Sequence, residues 1–138
     1  MKRTLISIAA SLGCLLFSSI ALTAQGIGWG YNVPFSFSAE GVQMPAGYYK
    51  VSKQSQTLGS LRGNAGSISF VRHAQLAARP GKAHLTFYKY GNNVFLREVW
   101  EETGVGTKIP ESAREREVRA REQQARVQPE TVELLASR

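Results

Sequence analysis

The side chains that could carry acid–base or nucleophilic chemistry are few and far apart in the sequence. The chain has two histidines, His73 and His84, ten glutamates and no aspartate. A hydrolytic site needs a base, a nucleophile and a group that orients them. The two histidines fall on different predicted strands, and we interpret contact between His84 and Glu98 as a surface cross-strand pair. The sequence therefore predicts a protein that is not an enzyme.

Metal and cofactor sites are also disfavoured by the residue types present. A structural or catalytic metal needs three or four ligands from cysteine, histidine or carboxylate. The only cysteine, Cys14, lies in an apolar N-terminal run, and the histidines are isolated. Glu101 and Glu102 are sequence neighbours that we interpret as solvated charge. We therefore predict no metal and no cofactor.

The aromatic and basic residues are more informative. Phe35, Phe37, Phe87 and Trp100 are predicted to fill a core, which leaves tyrosines and cations on another face. That predicted face carries Tyr48, Lys50, Arg72, Tyr88, Tyr90 and Arg97. Such a surface could stack on sugar rings or hold an anionic polymer. The alternative is that the tyrosines cover a thin sheet while the cations keep it soluble.

A period of two between residues 31 and 100 predicts the strands that position these residues. Strands are expected at 33–38, 48–53, 58–62, 67–73, 83–90 and 94–100, with a loose leader at 26–30 and a loop at 74–81. Residues 63–66, Gly-Asn-Ala-Gly, are typical of a hairpin turn. The pattern predicts a mainly β domain over residues 25–109, folded as a small antiparallel β-sandwich or barrel with a C-terminal α-helix.

The N-terminal 24 residues have the pattern of a signal peptide. Lys2 and Arg3 precede a long apolar run, and Ala24 ends a fair cleavage site. A membrane anchor or lipidation at Cys14 is the alternative. Cleavage would lower the formal charge from +7 to +5, and it predicts an exported protein in the periplasm or outside the cell, with no stable membrane span. Export argues against a nucleic-acid partner.

Residues 110–138 form a predicted charged helical tail. Ser112 is a good N-cap, and Glu115 three residues later completes a capping-box pattern. The helix is expected over residues 113–128, where Pro129 stops it, and residues 130–136 are expected to add a further helical turn. The tail balances six basic against six acidic residues, so the positive excess belongs to the β domain.

Three segments in order resemble a family of small exported proteins common in Acidobacteria and related soil bacteria. The motifs are Val33-Pro34-Phe35-Ser36-Phe37 with the Met44–Val51 segment, then the Leu85–Trp100 segment, and finally Ile109-Pro110-Glu111-Ser112. The resemblance implies a domain type and an exported location, and it brings no catalytic residues.

These observations favour an exported, non-catalytic binding or envelope-associated protein. An anionic envelope polymer or another exported protein would be its partner. The alternative is a structural or assembly subunit that pairs through strand edges and the C-terminal helix.

Overall fold

Two β-sheets pack face to face in the computed structural model, which describes residues 28–72 and 75–137. The described elements, in chain order, are β1 (Gly28–Val33), β2 (Phe37–Ala39), β3 (Val42–Met44), β4 (Gly47–Lys53), β5 (Leu58–Gly63), β6 (Gly66–Val71), β7 (Gln75–Ala77), β8 (His84–Tyr90), β9 (Asn93–Trp100), β10 (Val105–Lys108), α1 (Ala113–Gln124) and β11 (Glu130–Leu135). The predicted signal peptide, Cys14 and His73 lie outside the described residues.

The smaller sheet has four antiparallel strands in the order β1-β4-β5-β6. The larger sheet has the order β11-β8-β9-β10-β7, and β2 and β3 attach to it through a parallel pairing of Ser38 with Phe95 on β9. The predicted fold class is confirmed. Of the two predicted architectures, the structure has the sandwich.

Aromatic side chains from both sheets fill the space between them. The Phe37 ring packs edge-on against Tyr49 of the smaller sheet at 5.2 Å and against Phe87 of the larger sheet at 5.3 Å. Phe35 is half-buried and contacts Phe87. Trp100 was predicted for the core, but it lies on the outer face of the larger sheet because its neighbour Val99 occupies the inward position.

The predicted hairpin at residues 58–73 is confirmed as β5 and β6, joined at the Gly63–Gly66 pair. Three other expectations were wrong. The predicted strand at 33–38 is not continuous, because β1 ends at Val33 and β2 begins at Phe37. The glycine-rich leader is not loose from Gly28 onward, because β1 pairs along its whole length with β4. The expected loop at 74–81 contains the short strand β7, which pairs with β10.

The C-terminal tail combines the predicted helix with an additional strand. Ser112 caps α1 as predicted, since its Oγ accepts a hydrogen bond from the Glu115 backbone N–H at 3.1 Å. Residues 130–135 do not continue as helix. They form β11, which pairs antiparallel with residues 84–89 of β8. Val132 and Leu134 of β11 pack against the core.

The end of β11 connects the two sheets. The Ser137 backbone N–H donates to the Gly30 carbonyl at 2.8 Å, and the Ser137 hydroxyl donates to the same oxygen at 3.2 Å. The tail therefore completes the β domain rather than extending away from it. Within residues 28–72 and 75–137, no helix has the length and apolar character that crossing a membrane requires.

Candidate functional site

The outer face of the smaller sheet brings together part of the predicted binding surface. On β4, Tyr49 and Val51 point into the core, so Tyr48 and Lys50 point outward and are exposed. The alternation is what a half-buried antiparallel strand requires. The outward positions of the four strands are Gly28, Gly30, Asn32, Tyr48, Lys50, Ser52, Leu58, Ser60, Arg62, Ser67, Ser69 and Val71.

Two cations lie directly opposite each other on this face. Lys50 of β4 pairs with Arg62 of β5, and both side chains are exposed. Neither residue forms an ion pair within the described part of the chain, and none of the outward positions is acidic. Like charges on directly opposite residues destabilise a sheet. The sheet therefore carries an electrostatic cost that an external anion would remove.

Glycines on β1 let the outward side chains of β4 lie flat against the sheet. A Cβ added at Gly30 would lie 2.7 Å from Tyr48 Cζ, and one added at Gly28 would lie 2.7 Å from Lys50 Cε. The Tyr48 ring and the aliphatic stem of Lys50 thus rest on bare backbone. Tyr48 keeps 51% of its surface exposed, so one side of its ring is available for contact.

An open groove continues this face around the β1 edge. It has a volume of about 750 Å³, and Tyr48 and Lys50 share its lining with Trp29, Lys82 and Glu102. The groove therefore adds a third cation, Lys82, and a carboxylate, Glu102, while Trp29 packs against the core.

Arg72, another predicted binding residue, lies elsewhere and is buried. Its Nη2 donates to Glu101 Oε1 at 2.8 Å, and its Nε donates to Thr107 Oγ1 at 3.2 Å. Lys53 Nζ lies 4.0 Å from the same Glu101 oxygen. Arg72 thus connects the end of β6 to β10 and the chain just after β9, and it is not accessible to a polymer.

Helix α1 packs on the larger sheet beside Arg97, Tyr88 and Tyr90. Arg97 is buried, and its Nη1 donates to Glu115 Oε2 of the helix at 3.2 Å. The Arg97 guanidinium lies 5.7 Å from the Tyr88 ring centre, and Tyr90 is buried against Phe95. Burial raises the pKa of the Glu115 carboxyl, and the neighbouring Arg97 offsets only part of that effect.

The six predicted binding residues therefore occupy three places rather than one face. Only Tyr48 and Lys50 lie together on an open surface. Arg62 belongs with them and was missed, although the predicted 58–62 strand and the hairpin turn placed it next to β4. Assigning the pairing of β4 with β5 from the alternation of both strands would have found it.

The His84–Glu98 contact expected from the sequence is not formed. His84 pairs with Trp100, and Glu98 pairs with Thr86 and accepts a hydrogen bond from Trp100 Nε1 at 2.9 Å. A register shift between Thr86 and Phe87 leaves Arg97 as the extra residue of a bulge, and Glu98 lies opposite Thr86, two residues along β8 from His84. Among residues 28–72 and 75–137, no three histidine or glutamate side chains come together as a potential metal site.

Comparison with known proteins assigns no activity to these surfaces. No protein-family model matches the chain, and no curated protein and no solved structure matches it significantly. What the protein binds is therefore inferred from the positions and charges of its own side chains.

Proposed function

We propose that this is an exported, non-catalytic protein that binds an anionic envelope polymer through the outer face of its smaller sheet. We call this surface the Lys50 face and define it by Tyr48, Lys50, Arg62 and the serines 52, 60, 67 and 69. The observation that carries the proposal is the direct pairing of Lys50 with Arg62 on a face whose outward positions include no acid.

The chemistry of these side chains suits a carboxylated or sulfated polysaccharide. Lys50 extends across Gly28 of β1, while Arg62 lies on β5, so successive anionic groups of one polymer could contact the two cations. Arginine binds carboxylate or sulfate oxygens in a bidentate manner, and such charge-assisted hydrogen bonds are stronger than neutral ones. The exposed Tyr48 ring offers a stacking surface for a sugar, and the exposed hydroxyls of Ser67 and Ser69 can donate to further oxygens.

The face is also built to be rigid. Ser52 and Ser60 share a hydrogen bond of 2.9 Å across β4 and β5, and the glycines of β1 support Tyr48 and Lys50 from below. Side chains that are already positioned lose less entropy when a ligand binds. A polymer with repeated anionic groups could therefore bind this sheet without any rearrangement.

Retention on immobilised alginate, a polyuronate, tests the proposal across a series of salt concentrations. We expect the purified protein to remain bound at about 0.15 M salt, where long-range attraction is largely screened. The double variant Lys50→Gln with Arg62→Gln should bind about tenfold more weakly, since it loses two charge-assisted contacts.

The matched control removes the same charge elsewhere. Lys108 and Arg116 are exposed and form no ion pair among the described residues. The variant Lys108→Gln with Arg116→Gln should bind alginate within about twofold of the unmodified protein. Equal losses in the two double variants would mean that net charge alone drives retention, and the proposed site would be wrong.

A further inference from the structure

A row of apolar and aromatic side chains crosses the outer face of the larger sheet, on the opposite side of the core from the Lys50 face. The register pairs Trp100 of β9 with Gly106 of β10 on one side and with His84 of β8 on the other. His84 in turn pairs with Leu135 of β11. We call Trp100, His84 and Leu135 the Trp100 row. It spans two strand spacings, or about 10 Å.

The Trp100 indole covers a glycine of the neighbouring strand. A Cβ added at Gly106 would lie 2.7–2.9 Å from three carbons of the Trp100 six-membered ring, so no side chain separates the indole from the backbone there. The His84 ring is within 12° of the indole plane, with ring centres 5.7 Å apart. Leu135 continues the surface with 56% of its area exposed.

Hydrogen bonds hold both rings by their edges. Trp100 Nε1 donates to Glu98 Oε2 at 2.9 Å, and His84 Nδ1 lies 3.0 Å from the Lys82 carbonyl oxygen. Neither ring has to be ordered when a ligand arrives. This pre-organisation lowers the entropy cost of binding a ligand.

The two sides of the row carry opposite hydrogen-bonding groups. On one side, Glu98 and Glu133 flank Thr86 in the adjacent line of outward positions. On the other side, the loop before β8 contributes Arg79 and Lys82. The depression between them has a volume of about 370 Å³ and is lined by these four residues and by the Trp100 row.

We propose that the Trp100 row is a second binding site and that its ligand is a neutral saccharide. A pyranose ring has weakly apolar faces, which fit the face of an aromatic ring, and hydroxyl groups around its edge. The carboxylates on one side can accept from those hydroxyls, while the cations on the other can donate to them.

The same groups argue against other occupants. The paired carboxylates Glu98 and Glu133 repel an anionic chain, so this site differs in preference from the Lys50 face. An apolar peptide would need apolar pockets for its side chains, because binding energy concentrates in well-packed pockets. The depression here is lined by the charged residues Arg79, Lys82, Glu98 and Glu133.

The test uses Trp100 as its own reporter. The chain has two tryptophans, so Trp29→Phe leaves Trp100 as the single one. We expect cellohexaose, xylohexaose or mannohexaose to change its fluorescence in a saturable way, and saturation-transfer NMR on the unmodified protein to show the sugar protons in contact. Failure of all three sugars to bind would overturn the proposal.

Variants then locate the site and separate it from the Lys50 face. Trp100→Ala should weaken saccharide binding by about tenfold or more, measured by saturation-transfer NMR. Trp100→Phe should retain part of the affinity and shows whether the alanine variant fails only through misfolding. Val42→Ala, which truncates an exposed apolar side chain outside both sites, should leave saccharide binding unchanged. Undiminished binding by Trp100→Ala, or an equal loss in Val42→Ala, would contradict the assignment, whatever the result with alginate.

Discussion

Glu115 holds α1 against the larger sheet, although glutamate is an unusual residue to bury. It is the only buried residue of the helix, with 3% of its surface exposed, and it faces Arg97. Within the described residues, Glu115 Oε1 and Arg97 Nε have no hydrogen-bond partner. A buried ion pair with unsatisfied atoms contributes little net stability, although losing one partner is costly.

The raised pKa of Glu115 makes part of the stability depend on pH with a definite sign. Above the usual carboxyl pKa, the folded chain holds this proton more tightly than the unfolded chain does. The stabilisation is therefore present at low pH and is lost as pH rises through the raised pKa. In urea titrations from about pH 4 to 7, the unmodified protein should lose stability relative to Glu115→Gln as the pH increases.

The control for this measurement lies two residues further along the helix. Glu117 is paired with Arg121, and both side chains are 73% exposed. Glu117→Gln should follow the unmodified protein across the pH range, because an exposed pair contributes little. If the stability of Glu115→Gln had the same pH dependence as that of the unmodified protein, burial of Glu115 would not be the cause of that dependence.

Single residues could be predicted from the sequence only where their partners were local. Tyr48 and Lys50 follow from the alternation of one strand. The burial of Arg72 and Arg97 could not be predicted in this way, because the glutamates that pair with them are 29 and 18 residues away in the sequence. Without the pairing of distant strands, a buried arginine has the same sequence pattern as an exposed one.

At the scale of elements, turn signals and strong alternation were sufficient to predict β4, β5, β6, β8 and β9 among the eleven described strands. The hairpin of β5 and β6, the pair β8 and β9, and the start of α1 all lie where the sequence predicted them. β1 was missed because Gly28 and Gly30 lower its strand propensity, although they are needed to support Tyr48 and Lys50. β11 was missed because its glutamates continue the charged pattern of the helix.

Two adjacent leucines distinguish a strand at 130–135 from a helix. Leu134 packs against the core, whereas Leu135 points outward and is exposed. Leu134→Ala should lower the free energy of unfolding by about 1–2 kcal/mol, since the side chain is half-buried. Leu135→Ala should change it by less than about 0.5 kcal/mol. Urea denaturation of the two variants gives the comparison, and similar effects would argue against strand pairing of β11 with β8.

At the scale of the whole molecule, the two sheets form one core whose two outer faces differ in chemistry. The Lys50 face has cations and hydroxyls, and the Trp100 row has aromatic rings beside carboxylates. The two outer faces point in opposite directions, although Lys82 lines both the groove beside the Lys50 face and the depression at the Trp100 row. The fold could therefore connect two different polymers, which is a role suited to an envelope-associated protein.

The core also depends on the segment after Pro129. Removing residues 129–138 would expose the edge of β8 and the core side of Val132, Leu134 and Ala136. We expect this truncated chain to lose cooperative unfolding and to self-associate through the free edge, as measured by urea denaturation and light scattering. Removing only residues 137–138 deletes the Gly30 contacts and should leave a cooperative, less stable monomer. A fully cooperative, monomeric chain ending at residue 128 would refute this role of β11.

The hydrogen bonds from Ser137 to Gly30 span 107 residues of sequence. Wherever the chain emerges with its N-terminal side first, from a ribosome or through a translocation pore, β1 must wait for almost the entire sequence before its free edge is covered. Contacts of such long range slow folding. The sandwich of a nascent chain would thus be completed only when residues 130–137 can pair with β8 and bind Gly30. The topology therefore delays the last step of folding.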